Sequence, residues 1–406
     1  MKKILVTLLF LLFGTVANAD CNIKSGSINI LANDFPALRT LVETAKECKG
    51  SADFKVTHSA EHNKIAVPAL TANPSEFSVR VAANSSIVPL MNADLIRPMN
   101  DLVEKYGKGI QESQLITIDG KVMAVAFMAN TQHLYVRTDV LQENGIAIPK
   151  TYEEVVAAAE KIRAAGKMKY PYAAAYKAGW NLAEEFVNMY IGHGGEFFKD
   201  GGAQPNINNA KGVATLNMLK KLADLSNPDY LTHDSEAIKV EWESGNVAIM
   251  TLWASRSGTL LDDEGDAKIT AATKLVAPAT VGGGNIPAAT LWWDGFTLAK
   301  NRSDADAEAS FRAMAHAASS KEMVAKAADQ AVWLVEGFVP GPKSVGVIEA
   351  VKMGAKPYPM LPQMGLMHGA LGSEIVEFLQ GNESAEQALK DVEAAYITKA
   401  KEQGFL

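Results

Sequence analysis

The chain has 406 residues, 48% of them apolar and 21% charged, with two cysteines and a formal net charge of −7. That length supports two or three lobes with sizeable cores, and the composition excludes a disordered chain. Without Lys2 and Lys3, the 39 basic residues become 37 against 46 acidic ones, a net charge of −9; this balance argues against nucleic acid, whose phosphates need a basic face.

Residues 1–19 read as an export signal: Lys2 and Lys3, an apolar run over 4–13, then Ala17-Asn18-Ala19 as a cleavage site. The run is too short for a membrane anchor. Cleavage after Ala19 and a periplasmic location are expected. Cys21 lacks the small-residue context of a lipid-modified cysteine, because Asn18, Ala19 and Asp20 precede it. An exported chain with two cysteines more often pairs them, so a Cys21–Cys48 disulfide is expected, contributing about 3–4 kcal/mol through loop entropy.

A strand over 27–31, a polar turn at Asn33-Asp34-Phe35-Pro36, a helix over 37–48 and a strand over 54–57 begin an open α/β sheet. Such sheets bind ligands beyond the carboxyl ends of their strands. Asn33 and Asp34 sit at one such end, and Asn84, Ser85 and Ser86 at another, after a strand over 77–81. Ordinary turn chemistry also favours these residues there. His58 to His62 spells H-x-x-E-H, a zinc-protease pattern; it follows a strand directly and has no third ligand, so a rim histidine pair is the preferred reading. No resident metal and no cofactor is expected.

Asp119-Gly120 predicts a tight turn, followed by a buried strand over 122–127 and another over 134–136, with Met128, Ala129, Asn130 and Thr131 kinked between them. Thr138 is expected to cap a short helix that Gly145 ends. Thr151 and Glu154 form a T-x-x-E capping box, with Val155, Val156, Ala159 and Ile162 on the apolar face behind it and Gly166 at its close. This is how a chain leaves one lobe, crosses a cleft and begins a second.

Trp180 starts a helix whose apolar face carries Phe186, Met189 and Tyr190, and a further helix spans 209–225. Trp253 follows a short buried strand; like Trp180, it also reads as a core tryptophan. Trp292 and Trp293 are adjacent in an extended stretch, so they point to opposite sides and cannot share one core. Asp294 adds a carboxylate beside them. The Gly282-Gly283-Gly284 run lacks the phosphate fingerprint, and no Walker pattern occurs. Helices over 305–319 and on to about 332 precede Trp333 and Gly337-Phe338-Val339-Pro340, a third candidate crossing.

The run L-Y-V-R-T-D-V-L-x-x-x-G-I-x-x-P-K-T-Y-E-E over 134–154, together with the stretches over 178–198, 241–253, 290–300 and 361–391, resembles the sugar-type extracellular solute-binding proteins of ABC importers. Arg137, Leu141 and Tyr152 depart from the usual Asn, Phe and Trp without disturbing the spacing. The resemblance spans the mature chain in order. It implies an α/β fold of two lobes with a hinge of crossing segments and a ligand cleft between them: residues 20–129 with 297–340, and 130–296 with 341–406. It implies a monomer that captures a carbohydrate by lobe closure and delivers it to an ABC transporter permease. His368 falls where relatives place a sugar-stacking aromatic.

A sugar ring offers apolar C–H faces to aromatic side chains and a hydroxyl rim to polar ones. Asn33, Asp34, Asn84, Ser85, Asn130, Trp180, Trp253, Trp292, Trp293, Asp294, Trp333 and His368 supply that mixture. A polyol, a glycoside or an anionic sugar derivative is the alternative ligand, with Arg256 and Lys177 as candidate anion partners. A secreted glycoside hydrolase would need two carboxylates, for which Asp34 and Asp294 are the candidates; no nucleophile elbow occurs. A structural or adhesive protein would show repeats, and none is present.

Overall fold

The computed structural model describes residues 21–262 and 265–406; the expected export signal lies outside them. The first half of the chain builds an open sheet. Strand β1 (Ser27–Ala32) is followed by helix α1 (Pro36–Glu47), which has its proline in the first turn where a missing N–H costs nothing. Strand β2 (Asp53–His58), helix α2 (His62–Thr71), strand β3 (Val79–Ala83) and helix α3 (Asn84–Asn92) continue the alternation. The parallel pairings β1–β2 and β1–β3 put the loops after these strands along one rim. Asn33 and Asn84 stand on that rim, as the sequence predicts.

Asp119 and Gly120 both take positive φ, 49° and 74°, and turn the strand Leu115–Ile118 into β4 (Lys121–Asn130). After Thr131 the chain enters β5 (Gln132–Arg137), which belongs to a separate four-stranded sheet. This is the first crossing. Thr138 does not cap the next helix, Thr138–Glu143; Arg137 holds the cap position and the Thr138 hydroxyl donates to the Ala272 carbonyl. Thr151 does cap Tyr152–Ala164 by accepting from the Glu154 N–H, while the Glu154 carboxylate reaches past it to the Lys150 N–H.

The second sheet runs in the order Thr273–Val276, β5, β6 (Ile249–Trp253), Tyr172–Ala173. Helix α4, Trp180–Gly192, packs against it, and it is buried all round from Leu182 onward rather than on one face. Strand β7 (Thr290–Ala299) then returns to the first sheet between β3 and β4, antiparallel to both. The first sheet finishes as nine strands, with Val332–Trp333 on the far side of β4. The helix at Lys321–Lys326 is shorter than the sequence suggests, ending well before 332. Helix α5 (Met364–Glu374) packs against α4 and α3, and the terminal helix Ala385–Glu402 packs against α5.

Four apolar clusters follow the two sheets. Val79, Val81, Phe296 and Leu298 face one side of the first sheet; Ala82 and Ile87 line the other. Because side chains alternate along a strand, Arg80 falls on the same side as Ala82. Trp292 joins the core of the second sheet, and Trp293 packs against the first-sheet cluster of Ala82 and Ile87. The two tryptophans do divide between cores. Cys21 and Cys48 form the expected disulfide, with 5.3 Å between Cα atoms. Among the described residues no helix is long and apolar enough to cross a membrane.

Candidate functional site

The site forms where the start of α4 meets the rim of the first sheet. Gly179 sits at φ 98°, a conformation open to glycine, and turns the chain into the helix. Its N–H donates to the Gly372 carbonyl at 3.0 Å, seating the helix start on α5. A Cβ at Gly372 would stand 2.4 Å from the Gly179 oxygen, so this approach requires glycine. Trp180 is therefore held rigidly at its backbone, while its side chain stays 37% exposed.

His368 locks the same corner. Its Nε2 lies 3.0 Å from the Trp180 carbonyl and its Nδ1 3.0 Å from the Tyr358 hydroxyl. A carbonyl only accepts, so Nε2 carries the proton and Nδ1 accepts from Tyr358. Burial pulls the His368 pKa down to about 4, so the ring is neutral at physiological pH. Both nitrogens are spent on the protein, and the ring acts as a wall rather than a hydroxyl partner.

Around Trp180 the aromatic rings close up. Trp292 lies 5.6 Å away edge-on, Trp253 6.2 Å and His368 5.2 Å. Trp292 also meets Trp253 at 5.6 Å and Tyr358 at 4.5 Å. The Trp292 N–H points between Glu184 Oε1 at 3.1 Å and Thr290 Oγ1 at 2.8 Å. Facing this aromatic wall across a cavity of about 210 Å³ are Asn63, Arg80, Ser85, Ser86 and Leu90 of the first sheet and its helices. One wall is aromatic; the other mixes these polar groups with the apolar side chains of Ala66, Val67, Pro89 and Leu90.

The remaining candidates divide by what holds them. Asn84 is buried and clamps β7, donating to the Leu291 carbonyl and accepting from the Trp293 N–H at 2.8 Å. Asn130 clamps the crossing in the same way, through the Thr131 and Ser255 N–H groups and the Ser255 hydroxyl. Asn33 accepts from the Asp34 N–H, and Asp34 binds Arg39 with both oxygens, at 2.7 and 2.9 Å. The Arg39 pairing holds the Asp34 carboxyl below the usual range. Asp294 goes the other way: burial lifts it to about 7 against the pull of Arg80 and Arg256. Trp333 is seated in a core cluster of the first sheet at 2% exposure, with its N–H on the Ala327 carbonyl, and it does not line the cavity.

His58 ends β2 and His62 begins α2, so the one-helix spacing of the zinc pattern is absent; their Nδ1 atoms contact the Asn33 and Ser59 carbonyls. Lys177 and Arg256, the anion candidates, already face Asp234 at 3.1 Å and Glu236 at 3.2 Å. Arg256 also reaches across to the Phe35 ring, 5.2 Å from its centroid, joining the two halves of the molecule.

Asn63, Arg80 and Tyr358 escaped the sequence reading. A signal existed for Arg80 alone: it interrupts the apolar Val79-Arg80-Val81 run of a strand with both faces covered.

Residues 43–357 match the family of bacterial extracellular solute-binding proteins. A probable ABC transporter-binding protein of Deinococcus radiodurans is 31% identical over 193 residues, 46% of this chain and 44% of its own length, so the chain spans less than half of that relative. Three solved structures share the fold. Maltose-bound MalE3 of T. maritima superposes with a TM-score of 0.78 at 18% identity, covering 92% of this chain and 99% of its own. A solute-binding protein of an ABC transporter from Agrobacterium radiobacter K84, in complex with ribitol, gives 0.80 at 18% identity, covering 91% and 97%. One from Agrobacterium vitis S4 with bound D-mannitol gives 0.75 at 16% identity, covering 93% and 99%.

Proposed function

The chain belongs to the bacterial extracellular solute-binding family, and from that premise we propose that its solute is a carbohydrate, captured between the lobes and handed to an ABC transporter permease. The single observation that carries this reading is the cavity itself. Trp180, Tyr358 and His368 form one wall; on the other, Asn63, Ser85 and Ser86 stand among apolar side chains such as Val67 and Leu90. A pyranose or polyol presents the matching surfaces, C–H faces to the rings and hydroxyls to the polar rim.

The lobes proposed are residues 20–129 with 297–340 and residues 130–296 with 341–406, closing about the β4–β5 link, β7 and the segment after Trp333. Of the twelve candidate ligand contacts, Ser85, Trp180 and His368 line the cavity. Asn84, Asn130 and Trp292 are proposed to shape the site by fixing the crossings and the aromatic wall. Removal of residues 1–19 would release a periplasmic monomer without catalytic activity. The alternative, a polyol, glycoside or anionic derivative in the same cavity, draws support from the Arg80 guanidinium in its wall.

Calorimetric titration of the mature chain with monosaccharides, disaccharides and polyols tests the reading. Saturable binding of one class supports it; release of product from an oligosaccharide during the titration would point to a hydrolase instead.

A further inference from the structure

Arg80 gives the cavity a charge that the stacking arrangement does not use. It is the second residue of β3, lies at 1% exposure and forms part of the cavity wall. Its Nη2 donates to Asn63 Oδ1 at 2.6 Å, while Nε and Nη1 are enclosed and have no protein acceptor. A guanidinium does not shed its charge to escape this: burial brings its pKa down only to about 10.

The surroundings do not cancel that charge. The carboxylate that acts on Arg80 is Asp294, which burial lifts to about 7 and which makes no ion-pair contact with it among the described residues. His62 beside it is neutral, with a pKa near 4 set by burial and by Arg80 itself. A buried cation with unpaired donors is costly, and an acceptor of opposite charge removes that cost most fully. Of the other two cations near the cleft, Lys177 pairs with Asp234 and Arg256 with Glu236; Arg256 also leaves Nη1 without an acceptor, but neither residue lines the cavity. The size of the cavity, about 210 Å³, is small beside the ~300–1,000 Å³ of pockets that hold larger ligands.

We infer that the solute is a sugar acid of monosaccharide size, with its carboxylate against the unpaired donors of Arg80 and its carbon face along Trp180. The inference rests on the carbohydrate reading and narrows it. A single guanidinium with Asp294 nearby matches one negative charge better than the two of a phosphate ester. Asn63 and Ser85 then serve the hydroxyls next to the carboxylate.

The test is calorimetry on the mature wild-type chain with matched pairs: D-glucuronate and D-glucose, D-galacturonate and D-galactose, D-gluconate and sorbitol, with glucose 6-phosphate as a separate arm. The expected result is that one acid binds at least tenfold more tightly than its neutral partner, with an affinity that falls as salt is raised. In Arg80→Gln that preference should drop at least tenfold. If this variant does not fold, the wild-type pairs decide alone. A neutral partner that binds as well as its acid, or a phosphate that binds more tightly than every carboxylate, overturns the inference and leaves the carbohydrate reading standing. If no member of the panel binds, both fall.

Discussion

The indole N–H of Trp292 and the carboxyl group of Glu184 stand 3.1 Å apart in a fully buried site, and Thr290 binds both. Glu184 thereby positions the central ring of the aromatic wall from one turn inside α4. Burial pushes its carboxyl well above the ordinary carboxylate range, against the pull of its hydrogen bonds to Thr290, Trp292 and Asn188. A neutral acid at this position accepts from the indole without stranding a charge. Glu184→Gln should therefore fold with near wild-type stability. Glu184→Ala removes an acceptor shared by two buried donors and should cost about 1–3 kcal/mol. Urea unfolding, followed by tryptophan emission as a readout of the wall, checks both.

Glu185, the next residue, is pushed up to about 8 from an ordinary value of 4.5, first by burial, with a hydrogen bond to Gln132 opposing. Between those two values the folded state holds a proton that the unfolded state releases. Stability must then fall as pH rises from about 4.5 through about 8, and level off above. Glu185→Gln should make that slope shallower, the buried carboxyls of Glu184 and Asp294 keeping the remainder, and chemical denaturation at several pH values measures it. A wild-type slope that the substitution leaves unchanged would place the titration elsewhere.

Asn84 ties the rim of the first sheet to the crossing strand through the Leu291 carbonyl and the Trp293 N–H. Asn84→Ala takes the side-chain acceptor from the buried Trp293 N–H, while the Leu291 carbonyl keeps the Tyr358 N–H. A loss of about 1–3 kcal/mol is expected, together with faster amide exchange at Trp293.

The contact between Gly179 and Gly372 sets where Trp180 stands. Gly372→Ala would force a methyl to within 2.4 Å of the Gly179 oxygen, a clash that helix α5 relieves only by moving away. Overpacking of this kind costs about 1–3 kcal/mol. Weakened ligand binding with retained secondary structure by circular dichroism is the expected pattern.

The disulfide closes a loop over a separation of 27 residues. Reduction, or Cys21→Ser with Cys48→Ser, should lower stability by about 3–4 kcal/mol in the chain-entropy model. Thermal unfolding with and without reductant tests this directly.

The parts of the fold that local chemistry specifies were legible in the sequence. The Asp119-Gly120 turn needs two positive φ angles, and Thr151 needs only the N–H three residues on. The separation of Trp292 and Trp293 into different cores follows from strand alternation alone. What tertiary partners decide was not legible. Asn84 and Asn130 look like ligand contacts because amides at strand ends often are; backbone groups more than a hundred residues away occupy them instead. Trp333 was hidden for the same reason, since its N–H finds the Ala327 carbonyl inside the core. Arg80 reads as an interruption in a strand, and its importance emerges only once its donors are seen to lack acceptors. Thr138 lost its capping role to a carbonyl of a distant helix.

The central claim is that a carbohydrate fills the space between Trp180 and the first-lobe rim. The most direct measurement is the unfolding midpoint of the mature chain against a panel of neutral sugars, polyols, sugar acids, amino acids and zinc. A bound solute at 100 times its dissociation constant adds about 2.7 kcal/mol, so a raised midpoint with one carbohydrate class, lost in Trp180→Ala, is the predicted result. A shift produced by amino acids or zinc and by no carbohydrate would contradict it.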